Sequence, residues 1–150
     1  MKIVVAYDGS KNADAAVSEV LQRLWPAGSE VRIVMAVPAF PLALPAEGAA
    51  FYGPVWEKAQ AAARERAHTQ VRQVMERFRA RPDLKAAYEL RDETAKAALL
   101  DAVRRWGADL LVLGSQGTTA MGRLFVGSVC HAMVAHAPCT VEIVRPPLAA

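Results

Sequence analysis

The segment from Gly114 to Ser128 combines glycines and hydroxyl side chains directly after a strongly apolar run. Gly114 and Gly117 permit positive φ and let backbone N–H groups approach a ligand without a Cβ in the way. Gly127 and Ser128 stand where a helix is predicted to begin, and the free N–H groups at a helix start favour an anion. The segment therefore predicts a phosphate cradle built mostly from backbone, unless its glycines only punctuate a loop and Ser128 only caps the helix.

Arg123, inside the same segment, could add a charge-assisted hydrogen bond to a phosphate. Better-known nucleotide loops do not match this one. Arg123 and Leu124 stand where a P-loop needs Lys and Ser or Thr, and no G-x-G-x-x-G pattern follows any predicted strand. The sequence therefore excludes a P-loop and a dinucleotide-binding fingerprint.

A second chemical group, Asp8, follows the first apolar run and precedes Gly9 and Ser10. In an open α/β sheet, ligands bind beyond the carboxyl ends of the strands, at the point where strand order reverses. Asp8 and the glycine-rich segment could meet at such a point. Asp8 is therefore predicted to be functional, and its alternative role is to cap the following turn.

The elements that position these groups are predicted from strand-like and helix-like patterns that alternate along the sequence. Short runs rich in Val, Ile and Leu predict buried strands, and apolar residues spaced three and four apart predict helices between them. The predicted strands span 3–7, 31–37, 84–90, 109–114 and 140–144, and the predicted helices span about 13–24, 55–81, 95–106 and 126–135. This order predicts a doubly wound α/β fold, with a five-stranded parallel sheet and helices on both faces.

The chain length of 150 residues is about that of one average domain. No internal repeat or boundary divides it, so residues 1–150 are predicted to form a single domain. Prolines interrupt the strand and helix pattern between Pro38 and Pro54. This segment is predicted to be an irregular loop, either a variable surface loop or a lid.

Composition excludes several classes of protein. Hydrophobic residues make up 53% of the chain, as in a packed globule, and a net charge of +3 does not amount to a nucleic-acid-binding stripe. Two cysteines are too few for a disulfide scaffold, and His68, His131 and His136 are too scattered for a metal site. No apolar run approaches the roughly 18 residues of a membrane span. We therefore expect a soluble, cytoplasmic protein that binds neither nucleic acid nor membranes.

The spacing Gly114-x2-Gly117-x9-Gly127-Ser128 resembles the G-x2-G-x9-G-[ST] loop of the universal stress protein family, in its ATP-binding branch. The residues around this loop and the opening run from Ile3 to Ser10 are also similar to that family. The resemblance implies an adenine nucleotide alpha hydrolase-like fold with strand order 3-2-1-4-5. It also implies a homodimer paired through the last strand, where Val141 and Ile143 would form the seam.

In ATP-binding members of this family, adenine and ribose lie near strands one, two and four, and the phosphates lie on the glycine loop. Asp8 would lie near the ribose or a Mg²⁺ ion, and Val37 and Leu113 would contact adenine. One departure is Gln116, which stands where many members carry a basic residue; Arg123 could compensate. The full set of nucleotide-binding positions implied by the resemblance is Ala6, Tyr7, Asp8, Val37, Leu113, Gly114, Gly117, Arg123, Gly127, Ser128 and Val129.

The function predicted from these features is a homodimeric regulator in the stress response that binds ATP, with Mg²⁺. The sequence contains no obvious general base for attack on the γ-phosphate, so efficient hydrolysis is not expected. Two alternatives stay open. One is a slow ATP hydrolase on the same fold, and the other is a protein-interaction module that works without nucleotide.

Overall fold

The structure is a computed structural model that describes residues 1–37, 46–117 and 127–146. Strands and helices alternate along this part of the chain. Their bounds are β1 (Lys2–Ala6), α1 (Lys11–Gln22), β2 (Glu30–Ala36), α2 (Ala46–Phe78), β3 (Lys85–Arg91), α3 (Ala95–Trp106), β4 (Leu110–Gly114), α4 (Ser128–His136) and β5 (Thr140–Val144).

The five strands form one parallel sheet in the order β3-β2-β1-β4-β5. The chain first builds outward from β1 to β3 and then returns to place β4 on the other side of β1. Strand order therefore reverses between β1 and β4, and a crevice is expected outside their carboxyl ends. The predicted doubly wound α/β fold and its strand order are confirmed.

Two apolar layers cover the sheet because side chains on each strand alternate between its faces. On one face, Ile3 and Val5 pack with residues of α1 and α2. On the other face, Val4 packs with residues of α3 and α4. The inner strands β1 and β4 are buried on both faces, which explains their near-continuous apolar sequences.

Side chains and glycine define where α1 and α3 begin and end. Ser10 caps α1 by accepting a hydrogen bond from the Ala13 N–H at 3.1 Å, and Thr94 caps α3 in the same way. Gly107 ends α3 in the left-handed conformation, at φ 64°. The cap on α1 places its first turn directly after the Asp8–Gly9 turn.

The start of α2 differs from the prediction. The segment from Pro38 to Pro54 was expected to be irregular, but α2 already begins at Ala46 and carries Pro54 inside it. A proline within a helix removes one backbone hydrogen bond, and this made Pro54 look like a boundary. Alanines favour helix on both sides of this interruption, at 46, 49 and 50 before Pro54 and at 59 and 61–63 after it. The expectation is therefore wrong for 46–54, and residues 38–45 lie outside the described part of the chain.

None of the helices in the described ranges has an apolar stretch long enough to cross a membrane.

Candidate functional site

A cleft of about 540 Å³ opens at the carboxyl ends of β1 and β4, where strand order reverses. Its volume is within the usual range for small-molecule sites. The first turns of α3 and α4 form its sides. The described lining residues are Ala6, Tyr7, Asp8, Ala13, Val34, Ala36, Ala95, Ala98, Leu99, Leu113, Gly114, Gln116, Gly117, Gly127, Ser128, Val129 and Cys130.

Asp8 and Gly117 meet at the mouth of this cleft. A Cβ on Gly117 would lie 2.7 Å from Asp8 Oδ2, closer than real Cβ contacts allow. Asp8 Oδ1 accepts a hydrogen bond from the Ser10 N–H at 3.0 Å, so the carboxylate also caps the turn into α1. A glycine at 117 therefore lets the β4–α4 connection pass close to an oriented carboxylate.

A glycine at 114 avoids a clash with a different neighbour. A Cβ there would come within 2.5 to 2.7 Å of the backbone C and O and the Cβ of Asn12, in the first turn of α1. The described glycines with positive φ are Gly9, Gly28 and Gly107, so neither Gly114 nor Gly117 uses positive φ. The positive φ that glycine permits is therefore not the reason for either residue; the close approach of neighbouring groups is.

The N-terminus of α4 faces the cleft. Gly127 is the N-cap residue and makes no side-chain cap, while its N–H donates to the Ser115 carbonyl at 2.9 Å. Ser128 is the first helical residue instead of the cap, and it lines the cleft with Val129. The first N–H groups of a helix lack intrahelical partners, so this end of α4 offers donors to an anion.

Cys130 closes the cleft below these donors. Its thiol donates to the Gly114 carbonyl at 3.1 Å, and the residue is 2% exposed. Burial raises the pKa of the Cys130 thiol, so the sulfur stays protonated at neutral pH and acts as a wall. Cys130 is not among the site residues that the sequence analysis selected.

The floor of the cleft is apolar and comes from alternate residues of three strands. Ala6 pairs in register with Val34 of β2, and Ala36 and Leu113 project to the same face of the sheet. Val37 belongs to the core on the opposite face and does not line the cleft. The period-two alternation of β2 puts Val34 and Ala36 on one face and Val37 on the other, and the packed structure shows which of the two faces borders the cleft.

Tyr7 forms the wall between β1 and α1. Its hydroxyl donates to Asp14 Oδ1 at 3.1 Å, and Arg77 of α2 contacts the same oxygen at 3.4 Å. Burial, followed by the nearby Asp14 charge, raises the pKa of Tyr7 to about 12. The Tyr7 hydroxyl is therefore a hydrogen-bond donor held by α1 throughout the physiological pH range.

The structure thus brings together the predicted nucleotide residues except Val37, which lies apart, and Arg123, which lies outside the described residues. For strand two, the sequence analysis selected Val37 instead of Val34 and Ala36, and it selected no residue of α3. Ala95, Ala98 and Leu99 fall within the helix predicted over 95–106. Their part in the cleft depends on how α3 crosses the sheet, which its own periodicity does not reveal.

The predicted dimer residues lie on an edge strand. Val141 and Ile143 are partly buried against the core between the sheet and α3 and α4. The backbone N–H of Thr140 donates to the Asp109 carbonyl, on the side of β5 that pairs with β4. Because successive residues of a strand alternate in direction, the N–H groups of residues 141 and 143 point to the open side of β5. This edge offers backbone groups to another strand.

Comparison with known proteins places these features in one family. The model of the universal stress protein family matches residues 1–145. A universal stress protein of Thermus aquaticus is 34% identical over 143 residues, which is 95% of this chain and 97% of that protein. Two putative universal stress proteins of Staphylococcus epidermidis are 54% identical, but only over 39 residues, so the match spans 24% of their length and 26% of this chain.

Solved structures with this fold include relatives with bound nucleotides. A universal stress protein of Lactobacillus plantarum is 28% identical, with a TM-score of 0.78 over 97% of each chain. A universal stress protein in complex with cAMP is 25% identical, with a TM-score of 0.63 over 97% of this chain and 96% of that chain. A family member from Arabidopsis thaliana with AMP bound shares the fold at 16% identity and a TM-score of 0.57, over 99% of this chain and 93% of that one. The architecture, the cleft and these matches agree, and the chain belongs to the universal stress protein family.

Proposed function

We propose that this protein binds an adenine nucleotide, ATP with Mg²⁺, in the cleft between β1 and β4, and that it acts as a cytoplasmic homodimeric regulator whose nucleotide occupancy is the signal. One observation carries the proposal. Asp8, Gly117 and the N-terminus of α4 meet at the switch point of the sheet, above an apolar floor. A relative of this fold at 25% identity is in complex with cAMP, which supports an adenine ligand here.

The two ends of the cleft suit the two ends of such a ligand. The alanines at 6, 36 and 98, together with Leu113, form a narrow apolar slot suited to a flat base. The N–H groups of Ser128 and of the residues that follow it in the first turn of α4 would hold phosphate oxygens. The phosphates would therefore lie toward α4 and the base toward β2 and α3.

Asp8 suits a bridging metal ion. A carboxylate beside a triphosphate would repel it, and Mg²⁺ is commonly held by one or two carboxylates together with substrate phosphates. Clusters of three or more metal-binding side chains do not occur in the described part of the chain. Asp8 would therefore supply a protein ligand, and Mg²⁺ would neutralise charge between it and the phosphates.

Thermal unfolding of nucleotide-stripped protein tests the site. ATP, ADP, AMP, cAMP and GTP would each be added with and without Mg²⁺. A ligand at about 100 times its Kd adds roughly 2.7 kcal/mol, which raises the midpoint by several degrees. We expect adenine nucleotides, but not GTP, to raise it. A flat response to all five would overturn the proposal in favour of an interaction module.

The variant Asp8→Asn distinguishes the contribution of the metal ion to binding from that of the nucleotide. The amide keeps an acceptor for the Ser10 N–H but loses the charge that would hold Mg²⁺. Mg²⁺ should then no longer strengthen ATP binding, while AMP binding without metal changes less. Equal Mg²⁺ dependence in wild type and variant would contradict the assigned role of Asp8. Measuring phosphate release over many turnovers with ATP would detect the slow hydrolase.

A further inference from the structure

Helix α2 lies beside the cleft, and none of the described lining residues belongs to it. Two of its side chains nevertheless contact neighbours of Tyr7 and Asp8. Gln70 lies over Gly9, and Arg77 contacts the α1 residues Asp14 and Ser18.

The Gln70 side chain leaves no space for a Cβ at Gly9. Gly9 has φ +78°, and a Cβ built on it would lie 2.4 Å from Gln70 Nε2 and 3.1 Å from Gln70 Cδ. The terminal amide of Gln70 therefore occupies the space directly above the glycine that follows Asp8. Any movement of Asp8 and Gly9 away from Gly117 and toward α2 would meet this amide.

The Arg77 contact is polar. Its guanidinium donates to Ser18 Oγ at 2.7 Å and lies 3.4 Å from Asp14 Oδ1, the oxygen that also accepts from the Tyr7 hydroxyl. The chain Arg77–Asp14–Tyr7 thus connects the last turn of α2 to the wall of the cleft. Gln70 and Arg77 are seven residues apart, about two helical turns, so they project from the same face of α2.

We infer that Gln70 and Arg77 are positioning residues of the nucleotide site: they hold the Tyr7–Asp8–Gly9 turn against the β4–α4 connection without touching the ligand. This inference rests on the proposed nucleotide-binding function. It makes α2 an element that affects the affinity of the cleft from outside it. The ligand class concerned is the adenine nucleotide with its metal, because Asp8 is the group being positioned.

Three variants and two matched controls test the inference. Gln70→Ala empties the space above Gly9, Gln70→Met keeps an unbranched chain of similar length there, and Arg77→Ala removes the link to Asp14. The controls are Gln73→Ala and Arg72→Ala, which change exposed residues of the same helix. Each protein is measured by hydrogen–deuterium exchange of amides 8–14 without nucleotide, and by titration with ATP and Mg²⁺.

We expect Gln70→Ala and Arg77→Ala to speed exchange at the turn and to raise the Kd for ATP roughly threefold to tenfold. Gln70→Met and both controls should resemble wild type in both measurements. Unchanged exchange at the turn overturns the inference, and so does faster exchange with an unchanged Kd. Uniformly faster exchange across the whole sheet would show a merely structural role. If wild type itself binds no nucleotide, the proposed function fails and the positioning role for nucleotide fails with it, while exchange still reports on the turn.

Discussion

The Asp8 carboxylate lies so close to Gly117 that only 2.7 Å would separate Asp8 Oδ2 from a Cβ at residue 117. Two segments more than 100 residues apart in sequence are thereby fitted to each other at the switch point of the sheet. This close approach requires a residue without a side chain at position 117. The pair supplies the most direct test of how the cleft is built.

Gly117→Ala should therefore displace either the carboxylate or the loop. Overpacking of this kind typically costs about 1–3 kcal/mol. We expect ATP affinity to fall at least roughly tenfold, equivalent to about 1.4 kcal/mol. Isothermal titration and urea unfolding would measure the two effects. The double variant Asp8→Ala/Gly117→Ala lacks the obstructing carboxylate, so it should lose less stability than the sum of the losses in the two single variants. Losses that simply add would contradict the contact.

Gly114→Ala should affect the fold more than the ligand. Its new Cβ would meet the backbone of Asn12 at 2.5 Å, and backbone cannot move aside as a flexible side chain can. We expect about 2–3 kcal/mol of lost stability, near the upper end for overpacking, or failure to fold. Gly127→Ala is the matched control, because its nearest neighbour would be Ser115 O at 3.6 Å. Equal urea midpoints for the two variants would refute this account of Gly114.

The pKa of Tyr7, raised to about 12, predicts alkaline sensitivity. Tyrosine in an unfolded chain ionises near pH 10, so the unfolded state loses its proton first as pH rises. The stabilising contribution is complete below about pH 10 and disappears as the pH approaches 12. Between pH 9 and 11.5, wild type should lose more unfolding free energy than Tyr7→Phe, which cannot ionise. Parallel pH profiles for the two proteins would show that Tyr7 makes no such contribution.

The open edge of β5 predicts how two copies would pair. Val141→Pro removes an N–H that points away from β4, whereas Val141→Ala shortens the same side chain and keeps the N–H. If the homodimer forms through this edge, sedimentation equilibrium should find the proline variant monomeric and the alanine variant dimeric. A proline variant that stays dimeric and folded would place the interface elsewhere.

Residue patterns alone predicted most of the secondary structure and the fold. Apolar runs located all five strands to within about a residue. The signal is clearest for β1 and β4, because a strand buried on both faces needs a nearly unbroken apolar sequence. The start of α2 was predicted wrongly at Pro54. A rule about one residue takes account of the lost backbone hydrogen bond but not of the packing of a long helix along the sheet. The residues of the two loops that form the mouth of the cleft were also selected from sequence. Asp8, Gly114, Gly117 and Ser128 are recognisable by type and spacing.

What the sequence by itself determined is therefore the order of elements, the family resemblance and the residues at the ends of β1 and β4. Only the tertiary structure decided why each glycine is there, because a close approach depends on a partner distant in sequence, such as Asn12 for Gly114 and Asp8 for Gly117. It also decided that β2 contributes Val34 and Ala36, since a one-residue difference in facing moves a side chain to the other side of the sheet. The contacts of Gln70 and Arg77 with the β1–α1 turn arise only when α2 is packed, because helical periodicity defines a face of the helix but not the element it will meet.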